Sequence, residues 1–349
     1  MEEKKAFDLQ TVSRARPHLL GLAALWVALF HSYHLNFLAS SWLGKLHLVG
    51  ILNRLKELGN CGVDIFLFLS GLGLYYSMAS LREEKTPHLI RTFYARRFSR
   101  VLPSVLIVTI LYYGLQNLGS IQEWLGKVFL VGSFLPVQIE PGYWYFALLL
   151  TLYLLYPLID MIHRKWGTAG IVGMILLSVG AAFAVSKLYP VWFKRLEIMI
   201  TRVPVFLLGV LFAPYCRKHA RIPGWIPWLS LPVIAAGIFL IPLIPQRFVP
   251  LRRYAYVPLT ISIVLADSML CGWVKGRSIL YKGICLIGTF SMEIYLIYEN
   301  LYVMDPPLFH SVDSAGIIYA LTVFAAAFVL SVLLKMVAAK LREGMEKLP

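Results

Sequence analysis

Residues 23–37 read AALWVALFHSYHLNF. The stretch lies in an apolar run long enough to cross a bilayer, yet it carries His31 and, three residues on, His34. An ionisable side chain at membrane depth is costly and generally faces a bundle interior or a wet cavity. The stretch therefore points to a chain that enters a membrane and keeps polar groups inside it.

The rest of the sequence agrees with the first half of that statement. Of its 349 residues, 59% are hydrophobic and only 15% charged, with a mean hydropathy of +0.71. A water-soluble domain of this length lacks the polar cover to hide so much apolar surface. Apolar runs of about 20 residues recur along the chain, as transmembrane helices require. The expected fold is all-α: a polytopic bundle of about ten helices near 19–38, 60–80, 101–118, 142–162, 168–186, 198–214, 225–245, 254–273, 284–303 and 316–338. The segment 121–136 is too short to span and reads as interfacial. A single membrane domain over 1–349 is expected, with tails at 1–18 and 339–349.

The net charge of +15 does not indicate nucleic-acid binding, because the basic residues lie between apolar spans rather than in one patch. Cys61, Cys216, Cys271 and Cys285 form no CxxC or Cys/His spacing, so neither a disulfide framework nor a metal site is expected. No small-residue cleavage site follows the first apolar run, which reads as a retained anchor. With the N-terminus inside, 22 of the 33 Lys and Arg fall on inner segments and 11 on outer ones, a bias that places both termini in the cytoplasm.

Orientation turns sequence position into depth. His31 falls about 18 Å from the inner end of the first helix, just beyond the midplane. Asp64 enters about 6 Å from the outer side on the second helix, and Arg202 lies at a similar depth on the sixth. Glu299 lies near the outer end of the ninth, and Glu293 lies deeper. A histidine, carboxylates and an arginine together imply an outward-opening polar pocket. On the inner side, RTFYARRFSRVLP (91–103) brings Arg96, Arg97 and Arg100 to the start of the third helix. A planar guanidinium grips two phosphate oxygens at once, although basic residues at an inner helix end also satisfy topology and bind anionic lipid.

Four stretches form a recognisable series: LWVALFH (25–31), GVDIFLFLSG (62–71), RRFSRVLPS (96–104) and GTFSMEIYLIYENLY (288–302). A weaker fifth is WYFALLLTLYLLYPLI (144–159). In this series the chain resembles the bacterial acyltransferase-3 family of integral membrane acyltransferases. The resemblance implies transfer of an acyl group, usually acetyl in the family, from cytoplasmic acyl-CoA to a hydroxyl of an envelope carbohydrate or similar acceptor. It implies a multi-pass protein of the bacterial inner membrane. It maps the family histidine to His31, the second-helix aspartate to Asp64 and the arginine motif to Arg97 and Arg100. Two positions depart from the pattern: Leu20, where many members carry a basic residue, and Tyr298, where the late motif usually has histidine.

Acyl transfer to a hydroxyl needs a base for its proton, and a neutral imidazole serves. Asp64 is the candidate to orient that ring. A covalent acyl-histidine relay is equally compatible with the sequence. His34, Glu293, Tyr295, Glu299, Arg202 and Trp144 are the candidate acceptor contacts. No permanently bound cofactor is expected; acyl-CoA is the donor substrate, with lipid and the acceptor as partners. The competing function is a transporter or flippase for a glycan-linked or acylated molecule, and a sensor or scaffold is a third.

Overall fold

The computed structural model describes residues 6–32, 49–114, 121–130, 143–245, 248–274, 278–303 and 315–346. They are almost wholly helical. In chain order the helices are α1 (Gln10–Arg14), α2 (Arg16–His31), α3 (Val49–Glu57), α4 (Cys61–Glu83), α5 (Leu89–Gly114), α6 (Ile121–Val128), α7 (Tyr143–Leu188), α8 (Pro190–Ile200), α9 (Val203–Arg217), α10 (Ile226–Leu240), α11 (Val249–Val274), α12 (Ile279–Thr289), α13 (Ser291–Val303) and α14 (Ala315–Glu346). One small sheet pairs Ala6–Asp8 with Arg221–Pro223.

Six of the described helical segments are long and apolar enough to cross a membrane, or seven if the bent pair α12–α13 counts as one span. Of the expected ten, 142–162 and 168–186 are joined into one, and the described helices at the first and third, Arg16–His31 and Leu89–Gly114, are not among these segments. Residues 144–188 run as one helix, but Gly167, at φ 57°, kinks it at the predicted break between 162 and 168. Only glycine adopts that backbone region without penalty. The expected outer segment 187–202 is helical over Pro190–Ile200 and leads directly into α9. The expected start of the third helix moves from 101 back to Leu89, which puts all four arginines of RTFYARRFSR inside α5. The segment expected to be interfacial is helical over Ile121–Val128, which forms α6.

The surface is apolar where a soluble protein would be polar. Only 11% of the most apolar window of residues 144–188 is buried, and Leu154, Leu158, Leu176 and Leu177 are exposed. Lipid, rather than water, is the solvent such a face requires.

The chain divides into two compact units. The first comprises residues 1–7, 11–65 and 222–335. Its central element is α2, whose first turn carries Pro17, a residue suited to a helix start because the first N–H groups need no helical acceptor. α2 lies against α12 at backbone contact: a Cβ at Gly21 would strike the carbonyl oxygen of Ile284, and one at Gly288 would strike that of Pro17. At its other end α2 meets the start of α4, with Gly62 against Ala23 and Val27. Such small-residue seams supply close van der Waals packing where lipid removes the hydrophobic driving force. α13 turns 70° from α12 and packs Ile294 and Tyr298 against Ala28 of α2 and Tyr319, Val323 and Ala327 of α14. At the break, Lys335 of α14 donates to the carbonyl of Thr289 and lies 4.6 Å from the centre of the Phe290 ring.

The second unit comprises residues 8–10, 66–221 and 336–349. There α4 and α9 interlock through a reciprocal glycine contact, Gly71 against Phe206 and Gly209 against Phe68.

The seam of the first unit yields a direct test. Gly288→Leu inserts a side chain where the Pro17 carbonyl stands, and overpacking of this kind costs about 1–3 kcal/mol. Gly283, on the same helix, has open space around it. In detergent, Gly288→Leu is expected to lower the melting temperature while Gly283→Leu leaves it near wild type. Equal melting of the two variants would contradict the seam.

Candidate active site

His31 is the last residue of α2 and half-buried. Its Nδ1 lies 2.9 Å from the carbonyl oxygen of Val27, one turn back. A carbonyl only accepts, so Nδ1–H is the donor, and in the neutral imidazole the lone pair is then on Nε2. The Phe30 ring meets the imidazole edge-on at 5.1 Å, and that of Tyr295 at 6.4 Å. The structure thus brings together two predicted residues that are 264 positions apart, because α13 folds back along α2.

Ser32 caps this end of α2. Its hydroxyl donates to Ala28 at 2.8 Å and pairs with the Tyr298 hydroxyl at 2.7 Å. Tyr298, where the family pattern usually has histidine, therefore ties α13 to the residue that follows His31. Sequence reasoning missed Ser32; its signal was adjacency to the histidine. Asp64 lies in the first turn of α4, two residues past the Gly62 contact, and is 4% exposed. Glu293 is likewise buried, in the first turn of α13. The Val27 carbonyl already fixes Nδ1, so the expected orienting role of Asp64 is not required at that nitrogen. His34 and the side chain of Glu299 lie outside the described residues.

In the second unit, Arg202 sits at the junction of α8 and α9 and is 3% exposed. It donates to the Ile198 carbonyl at 3.0 Å, and its guanidinium lies 4.9 Å from the centre of the Trp144 ring. Two predicted acceptor contacts therefore form one cation–π pair, a favourable way to hold a desolvated guanidinium.

The arginines of α5 separate. Arg97 is half-buried and donates to the Gly73 carbonyl at 2.8 Å, while Arg100 and Arg96 are exposed, the latter 3.6 Å from Glu84. Arg97 and Arg100 are thus three residues apart on a continuous helix but differ in environment. Arg96 also lines a groove of about 960 Å³ along α5. His88, Arg91 and Arg342 make the groove basic beside the N-terminal turns, and Leu106 and Ile110 make it apolar further on.

A buried polar cluster in the same unit was not anticipated. Asp160, 4% exposed, accepts from Arg82 of α4 and lies 3.4 Å from Arg164. Tyr75 and His163 meet edge-on at 5.6 Å. The signal was available: a lone aspartate in the apolar run YPLIDMI needs a partner, and Arg82 is a basic residue near the end of another helix.

A family model described as an acyltransferase domain matches residues 19–339. The match covers nearly the whole chain, and the protein belongs to the acyltransferase-3 family. No curated protein and no solved structure matches it. The chain is thus a multi-pass membrane acyltransferase.

The Arg82–Asp160 pair is open to a double-mutant cycle. Arg82→Met removes a charge partner of a buried carboxylate, and Asp160→Asn removes the charge itself. The double variant is expected to be more stable than the sum of the two losses implies, by about 1 kcal/mol or more. Strict additivity of the unfolding free energies would show that the pair carries no coupling.

Proposed function

We propose that this chain is an acyl-CoA-dependent O-acyltransferase of the bacterial inner membrane, with both termini cytoplasmic and His31 as catalytic base. The observation that carries the reading is the tautomer of His31. Donation from Nδ1 to the Val27 carbonyl leaves Nε2 as the basic nitrogen, at the end of a helix rather than within its packed middle. In the proposed step Nε2 takes the proton of the acceptor hydroxyl as its oxygen attacks the thioester carbonyl. The new C–O bond forms, the C–S bond breaks, and the proton passes from the imidazolium to the departing CoA thiolate. The acyl group is proposed to be acetyl and the acceptor an envelope or exported carbohydrate. Tyr295, buried beside the imidazole, is the nearest candidate to position the acceptor. Asp64, Glu293, Glu299, His34 and the Arg202–Trp144 pair are its further candidates.

Arg96, Arg97 and Arg100 are proposed to take the phosphates of the donor. Arg97, anchored on Gly73, supplies a fixed guanidinium; Arg96 and Arg100 are the exposed members. Charge-assisted contacts of this kind are worth about 1.5–3 kcal/mol each. Arg97→Ala and Arg100→Ala are each expected to weaken acyl-CoA binding by about tenfold or more. Unchanged affinity in both purified variants would leave these arginines a topological role alone.

One observation favours the alternative, a transporter or flippase: the 70° break between α12 and α13, since discontinuous helices line many transport sites. Transfer from labelled acyl-CoA in proteoliposomes separates the two. The enzyme releases free CoA in step with acceptor acylation. His31→Gln is expected to reduce that release by about 10²–10⁴-fold with helix content unchanged, and Asp64→Asn by less. Movement of substrate without CoA release would favour the transporter, and near-wild-type transfer in folded His31→Gln would remove the base assignment.

A further inference from the structure

At the opposite end of α2 from His31, a second group of chemistry-bearing side chains converges that the transfer reaction does not use. His18, in the first turn of α2, places Nδ1 at 3.0 Å and 3.1 Å from the two carboxylate oxygens of Asp267 on α11. Cys271, one turn further along α11, has its Sγ 3.7 Å from Asp267. One donor atom from each residue lies within 4.8 Å of the others, and all three residues are buried. The Tyr281 ring of α12 stacks on the imidazole at 5.0 Å and 14°, fixing its plane. All of these residues belong to the first unit.

We propose that His18, Asp267 and Cys271 form a binding site for a divalent transition-metal ion of the zinc type. Three arguments support it. The first is ligand chemistry: an imidazole nitrogen, a carboxylate oxygen and a thiol sulfur together suit Zn²⁺ and neighbouring first-row ions and disfavour Mg²⁺ and Ca²⁺, which take oxygen alone. The second is geometry. Asp267 and Cys271 are i,i+4 on α11, so they share a helix face, and His18 meets that face from α2. Tetrahedral zinc with ordinary bond lengths sets its ligand atoms about 3.3–3.6 Å apart, close to the 3.1 and 3.7 Å that separate Asp267 Oδ2 from His18 Nδ1 and Cys271 Sγ.

The third argument is charge. Among the described residues no lysine or arginine pairs with Asp267, whose side chain is 6% exposed. Beside it stands the His18 imidazole, which offsets its charge only when protonated, and a carboxylate without an opposite charge is costly in an apolar bundle. A divalent ion balances it. Binding displaces the Cys271 thiol proton to solvent, and the ion's two positive charges then meet one thiolate and one carboxylate, so the site is neutral. The fourth tetrahedral position is left to water. Cys285, one turn beyond Tyr281, has its sulfur engaged with the Tyr281 hydroxyl and is not included.

His18 and His31 are 13 residues apart on one helix, hence about 20 Å along its axis. The ion is therefore remote from the transfer step, and its role is to clamp the first turns of α2 to α11. The site has no spacing signature because its ligands come from helices 249 residues apart in sequence.

The test uses the full chain, purified in detergent and stripped with a chelator. Zn²⁺ is titrated in competition with a chromophoric chelator, and Co²⁺ serves as the spectroscopic probe. One ion per chain is expected, with a thiolate-to-cobalt charge-transfer band and a rise in melting temperature on loading. His18→Gln and Cys271→Ser are expected to weaken binding by about 10–100-fold and to lose that rise. Cys61→Ser and Cys216→Ser, which remove buried thiols elsewhere, are expected to bind as wild type does. Should the ligand variants fail to fold, the wild-type protein decides: no bound zinc, or bound cobalt without a thiolate band, overturns the site. Equal affinity in Cys271→Ser and wild type overturns it as well.

Discussion

The first unit depends on the backbone seam between α2 and α12. Gly21 and Gly288 let the two helices approach until each lies against the other's carbonyl oxygens, leaving no room for a side chain. In a bilayer this contact cannot be replaced by burying larger residues, because lipid tails solvate those equally well. The seam fixes α2 along its axis and about it, and the positions of His18 and His31 follow as two ends of one rigid element. The second unit solves the same problem with Gly71 and Gly209. Both units are therefore held where side chains are smallest, while the large apolar residues of α7 face outward.

Much of this was legible in the sequence, because the bilayer imposes one rule on every span. Apolar runs of about 20 residues gave the helices, and their polar interruptions gave most of the candidate residues. His31, Tyr295, Arg202 and Trp144 were each named as candidates, and they meet in the structure as two pairs, His31 with Tyr295 and Arg202 with Trp144. What periodicity could not supply was pairing. Nothing local links Asp160 to Arg82 or His18 to Asp267, since each partner is chosen by which helices become neighbours. Nor could depth foresee that a backbone carbonyl, present at every residue, would set the tautomer of His31. Helix ends were blurred for a different reason. RTFYARRFSR is polar, so hydropathy excludes it from the span, yet nothing in it breaks a helix and α5 simply begins earlier.

The two units place their polar groups differently. In the first, at the end of α2, Ser32 and Tyr298 pair their hydroxyls, while the His31 imidazole donates to the Val27 carbonyl and meets the Tyr295 ring edge-on. In the second, Asp160 with Arg82 and Arg164 keeps full charges under cover, held by opposite sign. The first arrangement fixes the tautomer of an imidazole; the second uses its charges to hold helices together.

The bend at Phe290 carries a consequence for α14. Breaking a span strands carbonyl groups at the end of α12, and in hydrocarbon they have no water to turn to. Lys335 meets the Thr289 carbonyl and lies near the Phe290 ring. A lysine that counts in the sequence as one more positive-inside residue is thus also the C-terminal cap of a neighbouring helix, where a cation is favoured by the helix dipole. It also keys the two elements to each other. If α14 slides or rotates by one residue, the cap leaves its socket, so the axial register of the last helix is locked to the break in the one before it.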